Sequence, residues 1–287
     1  MSVMDTEKKK KAAGAAANYR GQPQFGENRN EAVRYEIFGD GWFLTVRVTE
    51  TPSLKYVSAW MYDNGGIRDL YCGPDAMTRS GSSHLKLVSD RLTVEADDEK
   101  GHIVLKAMDG GNLDIKFKSP ITSSWEIPPG DTAIHQPFLD VEVTIDGRTR
   151  SAIGYCKRYW YVEDIDYWNW RFILGVIRYH GAPRMLWTAE ANFAHEKYDY
   201  FKFVSPDGSI ISAKPDDSRH RETKAFGILN GKECEAHVEE LGRIVRDLRS
   251  DRMDTRIITK FCKLKFIEAG EVHTGYALHE IGSGTAR

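Results

Sequence analysis

Between Gly154 and Gly175 the chain reads GYCKRYWYVEDIDYWNWRFILG. Rings with polar tips, among them Tyr155, Tyr159, Tyr161, Trp168 and Trp170, stand beside three cations, Lys157, Arg158 and Arg171. Three carboxylates, Glu163, Asp164 and Asp166, fall between them. These are the groups that acid–base chemistry on a flat apolar molecule needs. Aromatic rings bind the body of such a molecule, a carboxyl moves the proton, and a cation steadies developing negative charge. Carboxylates this close raise the proton affinity of at least one of them when they are partly desolvated. Asp164 and Asp166 are therefore candidate proton carriers. Glu190 in RMLWTAEANF is a third, alternating with the ring of Trp187, and His135 lies in a Pro-rich passage where it can face a cleft. The plainer reading stands beside this one: acidic tips and Tyr–Lys strand faces are commonly just solvated, and His180 in Tyr-His-Gly is a surface turn residue. A buried Lys or Arg needs an anionic partner, from the protein or from a ligand such as a phenolate.

The elements that must position these residues read as strands. Treated so, Tyr155, Lys157, Tyr159 and Tyr161 share one face, and Cys156, Arg158 and Trp160 the other. On the return arm Trp168, Trp170 and Phe172 oppose Asn169, Arg171 and Ile173. The stretch is expected to be a hairpin with an acidic tip. Period-two or continuous apolar runs recur throughout: WFLTVRVTE (42–50), RLTVEA (91–96), HIVLKAM (102–108), LDIKFK (113–118), FLDVEVTIDG (138–147), RMLWTAEANF (184–193), YFKFVSPDGSI (200–210), RIITKFCKLKFIE (256–268) and EVHTGYALHEIG (271–282). Asp-Gly-Gly at 109–111 predicts a hairpin, and Asp146-Gly147, His180-Gly181 and Asp207-Gly208 mark other turns. Only 53–64 and 239–251 have partial helical spacing. The passage 119–137 is expected to link or lid two halves. The expected fold is all-β, with a tail over 1–30, one lobe over 31–130 and a second over 131–287. Trp42, Trp60 and Tyr62 would line or fill the first lobe.

Composition narrows the function classes. The 287 residues carry 40 basic and 42 acidic side chains, a net charge of −2, so no global field draws in nucleic acid or anionic lipid. No segment offers 18 uncharged apolar residues, so neither a membrane span nor a signal peptide is expected. The four cysteines have no C-x-x-C spacing, which points to reduced thiols and a cytoplasmic protein without a zinc site. G-x-S-x-G, H-E-x-x-H, P-loop and G-x-G-x-x-G motifs are absent, and His84, His102, His195 and His220 are too scattered to suggest a metal triad.

The order of signatures resembles a known family. A strand ends in Asp-Gly; a Gly-Tyr strand, an aromatic and charged turn, Trp-x-Trp, F-V-S-P-D-G and finally GYALHE (Gly275 to Glu280) follow. This is similar to the bilobed lipocalin-like (calycin) superfamily that includes carotenoid hydratases (hydroxyneurosporene synthases). The resemblance covers roughly residues 31–285. It implies two lipocalin-like antiparallel barrel or sandwich lobes, an apolar ligand cavity and a carboxylic acid that protonates an alkene. The sequence departs from the hydratases at the Gly-Tyr strand, which continues as Cys156-Lys157-Arg158-Tyr159-Trp160, and at Glu190 with Trp187. These departures leave a lyase-type or isomerase-type reaction in an aromatic pocket rather than carotenoid hydration itself.

The expectation is thus a cofactor-independent lyase, hydratase or isomerase acting on a small hydrophobic aromatic or isoprenoid molecule. One concrete version is loss of a small fragment from a phenolic substrate. Asp164, Asp166 or Glu190 would carry the proton, Lys157, Arg158 or Arg171 the positive charge, and Tyr155, Tyr159, Tyr161, Trp168, Trp170, Trp187 and His135 would bind the ligand. The alternative is a lipocalin-like carrier, which needs the rings but has little use for charges in the cavity wall. Exposed strand edges admit a homodimer.

Overall fold

A computed structural model describes residues 29–50, 55–73, 78–79, 85–120, 123–127, 131–162, 167–193, 196–214, 217–249 and 253–286. All of its regular structure is strand, with no α-helix among the described residues. Neither partial helical pattern forms one: Lys55–Asp63 is a strand, and the described residues 239–249 continue the strand that begins at Lys232. Among the described residues no helix is long and apolar enough to cross a membrane.

The strands are β1 (Arg29–Phe38), β2 (Phe43–Glu50), β3 (Lys55–Asp63), β4 (Gly66–Gly73), β5 (Thr78–Arg79), β6 (Leu85–Val88), β7 (Leu92–Ala96), β8 (Lys100–Lys106), β9 (Asn112–Lys118), β10 (Ser123–Ile127) and β11 (Asp131–Ile145). They continue as β12 (Arg148–Val162), β13 (Tyr167–Tyr179), β14 (Ala182–Phe193), β15 (Glu196–Val204), β16 (Ile210–Ser212), β17 (Arg219–Arg221), β18 (Lys224–Leu229), β19 (Lys232–Arg249), β20 (Met253–Glu268) and β21 (Glu271–Ala286). They make two curled sheets. One has 12 strands in the order β4-β3-β2-β1-β12-β11-β9-β8-β7-β6-β5, with β10 on β11; the other has nine, β16-β15-β14-β13-β21-β20-β19-β18-β17.

The chain divides into two compact units. The first holds the described residues of 1–35, 46–59 and 70–163, and the second holds 36–45, 60–69 and 164–287. Each of β1–β4 therefore contributes one end to each unit. Strands β11 and β12, expected in the second lobe, belong to the first sheet: β11 pairs with β9 and β12 with β11. The described parts of the Pro-rich passage are not a link: 123–127 and 131–137 are paired strand.

Turn chemistry sets most of the registers. Asn64-Gly65, Asp146-Gly147, His180-Gly181, Asn230-Gly231 and Ala269-Gly270 all have both φ angles positive. That conformation matches the twist of two-residue hairpins and explains why glycine holds the second place in each. The Asp-Gly-Gly turn joins β8 to β9 as expected, with Asp109 Oδ1 accepting from the Gly111 N–H at 3.0 Å.

Each unit has its own core. In the first, Leu92, Val94, Ile103, Leu105, Leu113, Ile115, Val141 and Val143 are buried, and Tyr35 packs on Phe117. In the second, Ile173, Ile177, Leu186, Phe201, Phe203, Leu264, Phe266 and Ala277 cluster on one face of the sheet, called the inner face below. Trp42, Trp60 and Tyr62 are buried core residues of this unit. All four cysteines are free thiols. Burial pushes Cys234 up to about 11 and Cys262 to about 12, so neither is a ready nucleophile.

Candidate functional site

The stretch from Gly154 to Gly175 is not a hairpin. Strand β12 is flanked by β1 and β11, and β13 by β14 and β21, so neither has a free edge on which the other could pair. The two arms lie in different sheets. Asp164 and Asp166, the expected acidic tip, fall outside the described residues.

The second sheet has two chemically distinct faces. On the face opposite the core, β13 presents Trp168, Trp170, Phe172 and Leu174, as the alternation required. Trp170 and Trp168 lie across glycines of β21: a Cβ placed on Gly282 would stand 2.1 Å from the Trp170 ring, and one on Gly284 would stand 2.4 Å from that of Trp168. Phe172 pairs with Glu280, and Glu280 with Thr259 on β20. The Glu280 side chain is 1% exposed. Its Oε1 accepts from Trp170 Nε1 at 3.0 Å and its Oε2 from the Thr259 hydroxyl at 3.1 Å. Both oxygens are thus fixed in direction by donors from neighbouring strands. Along β14 and β15 the same face carries Trp187, Tyr200 and Lys202. Trp187 meets Tyr200 edge-on at 5.1 Å, and the Lys202 ammonium lies 5.3 Å from the Tyr200 ring centre. Burial lowers Lys202 to about 8. Further along, Phe261 stacks on Phe43 and Tyr276 and touches Tyr62.

The inner face carries charge above its apolar core. Arg171, Glu190 and Asp199 stand side by side on β13, β14 and β15. The Lys197 ammonium sits on both carboxylates, 3.4 Å from Glu190 and 3.0 Å from Asp199, and Asp199 raises its pKa. The curl of the sheet brings β17 back against β14, so the His220 ring lies 3.3 Å from Asp199. Burial lowers the pKa of His220 against the pull of Asp199. It drives His279 down to about 3, with Lys260 and Arg171 pushing the same way. Both imidazoles are neutral near pH 7. Among the described residues, Arg171 Nε, Thr188 Oγ1, His220 Nε2 and both ring nitrogens of His279 are buried without a hydrogen-bond partner. Glu190, Asp199 and His220 have the ligand types for a metal ion. Lys197 already supplies their cation.

One contact and one groove stand out in the first unit. His135 Nδ1 and the Tyr155 hydroxyl are 2.5 Å apart, both buried. A bulge at Pro137–Leu139, with Phe138 at φ 58°, shifts the alternation and turns His135 onto the face of Tyr155 and Lys157. A groove of about 770 Å³ is lined by Glu95, His102, Lys116, Asp140 and Glu142 among others; mixed charges of this kind describe solvated surface, and among the described residues no sequence-derived candidate lines it.

Comparison with known proteins bears on the fold. No family model matches the chain, and no curated protein matches it in sequence. Solved structures do. CghA superposes with a TM-score of 0.64 at 11% identity over 91% of this chain and 89% of its own, and its complex with Sch210972 gives 0.63. An AttH-type protein of Nitrosomonas europaea gives 0.60 at 14% identity over 89% and 92%. Kievitone hydratase of Nectria haematococca gives 0.59 at 10% identity over 92% and 91%. The fold is the bilobed lipocalin-like one. At these identities the likeness carries architecture, and chemistry has to come from the residues.

In the lipocalin-like frame the sequence-derived candidates separate. Tyr155, Lys157, Arg158 and His135 lie in the first unit, where only the backbones of Tyr159 and Tyr161 are described. Trp168, Trp170, Trp187, Arg171 and Glu190 lie in the second. There the rings take one face and Arg171 and Glu190 the other, so no wall of the second unit combines them. Sequence reasoning left out Glu280, although it quoted it within GYALHE. The signal was present: Tyr276, Leu278 and Glu280 share a strand face, and an acid on such a face is an exception that calls for a partner. Lys202, between Phe201 and Phe203, gave no comparable signal, since a lysine on alternate strand positions ordinarily faces water.

Proposed function

We propose that the protein is an acid–base enzyme of the lyase, hydratase or isomerase type, acting without a cofactor on a small hydrophobic aromatic or isoprenoid molecule. The reading rests on one observation, the buried Glu280 carboxyl set in a wall of rings. Trp168, Trp170, Phe172 and Trp187 offer apolar faces to a flat substrate. The Trp170 and Thr259 donors hold the carboxyl in one orientation, which is what proton transfer to or from a carbon centre requires. Lys202 stands farther along the same face as a positive charge for an enolate- or phenolate-like oxygen. The hydratase among the structural neighbours is consistent with this class. Arg171 and Glu190 are assigned no catalytic step, because they open on the other face and Glu190 is already paired with Lys197.

The test is a panel of phenolic and isoprenoid alkenes incubated with the pure protein and followed by mass spectrometry. Gain or loss of water, loss of a small fragment, or rearrangement at constant mass is expected, and Glu280→Gln should abolish it while ligand binding persists. Turnover that depends on the Lys202 charge should fall as pH rises through about 8, and Lys202→Met should remove that limb. Tight binding with no conversion of any panel member, in wild type and variants alike, would instead support a carrier.

A further inference from the structure

The second unit carries another constellation at the end of its sheet where the β13–β14 and β20–β21 hairpins close. We propose that His180, Glu271 and His273 form a binding site for a divalent transition-metal ion, zinc in the first instance, that fastens these two turns together. Their three ligand atoms lie within 4.8 Å of one another. Glu271 Oε2 is 3.7 Å from His180 Nε2 and 3.8 Å from His273 Nε2. Those separations are too long for hydrogen bonds. They are close to the spacing of ligands around one ion: bonds of about 2.0–2.1 Å place neighbouring ligand atoms of a tetrahedron roughly 3.3 Å apart.

A second observation is independent of that spacing. The His273 side chain is only 10% exposed, and its Nε2 is buried without a hydrogen-bond partner among the described residues. A buried polar atom of this kind calls for a partner, and its nearest anion is the Glu271 carboxylate it faces. The rings are also braced. Tyr179 packs against His180 at 4.3 Å and against His273 at 4.6 Å, and its hydroxyl donates to Glu268 at 2.6 Å. His180 is held at φ 47° by the turn it shares with Gly181. Two imidazoles and a carboxylate suit zinc, cobalt or nickel rather than calcium or magnesium, which prefer oxygen ligands throughout. His180 and Glu271 are exposed, so an ion can enter and keep a water in the remaining position.

The site does not depend on the Glu280 reading, and its test needs no substrate. Untagged full-length protein is stripped with EDTA, dialysed and titrated with zinc chloride by calorimetry. One ion per chain is expected, with a melting temperature that rises as zinc is added. Cobalt in its place should show the visible absorption of a four-coordinate ion. His180→Ala and His273→Gln should each lose the binding and the melting shift, and circular dichroism should show the strand content of both unchanged. Asp199→Asn should keep both, since it alters the other trio of potential ligands. The proposal is overturned if no saturable binding is seen, if binding survives His180→Ala, or if Asp199→Asn removes it.

Discussion

On β13 and β21 neighbouring residues part ways. Trp170 and Glu280 take one face of the second sheet, while Arg171 and His279 take the other. Both faces hold ionisable groups away from water, yet they satisfy them differently. Glu280 is given a hydrogen bond on each oxygen by side chains of its own sheet. On the inner face the carboxylates share a lysine, the histidines are kept neutral by burial, and five buried nitrogen or oxygen atoms have no partner among the described residues. The proposed function gives the fixed carboxyl among rings one proton at one place. A looser set of charges above an apolar core is built to balance itself. Every prediction below tries to exchange these roles.

The largest effect is expected at Glu280. Glu280→Gln keeps the shape and an oxygen for Trp170, so the fold should persist while turnover falls by about 10²–10⁴, the usual worth of a general acid or base. Glu190→Gln on the opposite face should leave turnover essentially unchanged. If the two results are reversed in single-turnover assays, the working face is the inner one.

Next comes the seating of the rings. Gly282→Ala places a methyl group where the Trp170 indole lies, 2.1 Å from its nearest atom. The ring must move, which breaks its bond to Glu280 and costs about 1–3 kcal/mol as an overpacked site. Urea denaturation followed by tryptophan fluorescence should show the lower midpoint, and turnover should fall with it. Gly110→Ala, in an open turn, is the strain control, since it changes backbone freedom without touching a ring.

The third effect is acid lability from the inner face. His279 has a folded pKa near 3 against an unfolded value of about 6.5. Between these values the unfolded chain binds the extra proton, so stability rises with pH, and it is lost as pH falls from about 6.5. The loss approaches about 1.4 kcal/mol per pH unit below that point. His220 shifts in the same direction. Between pH 6.5 and about 5, where ordinary carboxylates stay charged, urea midpoints should drop, and His279→Phe should flatten the slope. An unchanged slope would mean that water reaches this ring.

The same contrast explains what the sequence revealed. The all-β class was legible because alternation and x-Gly turns are local, and a two-residue turn announces itself in two letters. The division of faces on β13 and β14 was legible for the same reason, since strand geometry puts Trp170 opposite Arg171 and Trp187 opposite Glu190. Strand partnership was not. Whether β12 pairs with β13 or with β1 and β11 depends on contacts across the whole chain, and nothing in GYCKRYWYVEDIDYWNWRFILG encodes it. The bulge at Phe138 was equally hidden, and it decides which face His135 takes. Glu280 was visible as a letter but not as a site, because its meaning comes from Trp170 and Thr259, contributed by two other strands.

The smallest effect is the sharpest probe of the inner face. Lys197 bridges Glu190 and Asp199, but its side chain is 59% exposed. Water and salt screen a cation in that position, so Lys197→Met should cost less than about 1 kcal/mol. The difference from wild type should shrink further at about 1 M salt, where the screening length is about 3 Å. A larger loss, insensitive to salt, would mean that the two carboxylates are effectively desolvated once the lysine is gone. Two such carboxylates beside a neutral His220 would then have to share a proton, and the inner face would acquire the acid–base character assigned here to Glu280. The size and salt dependence of one surface substitution therefore decide whether the two faces differ in kind or only in degree.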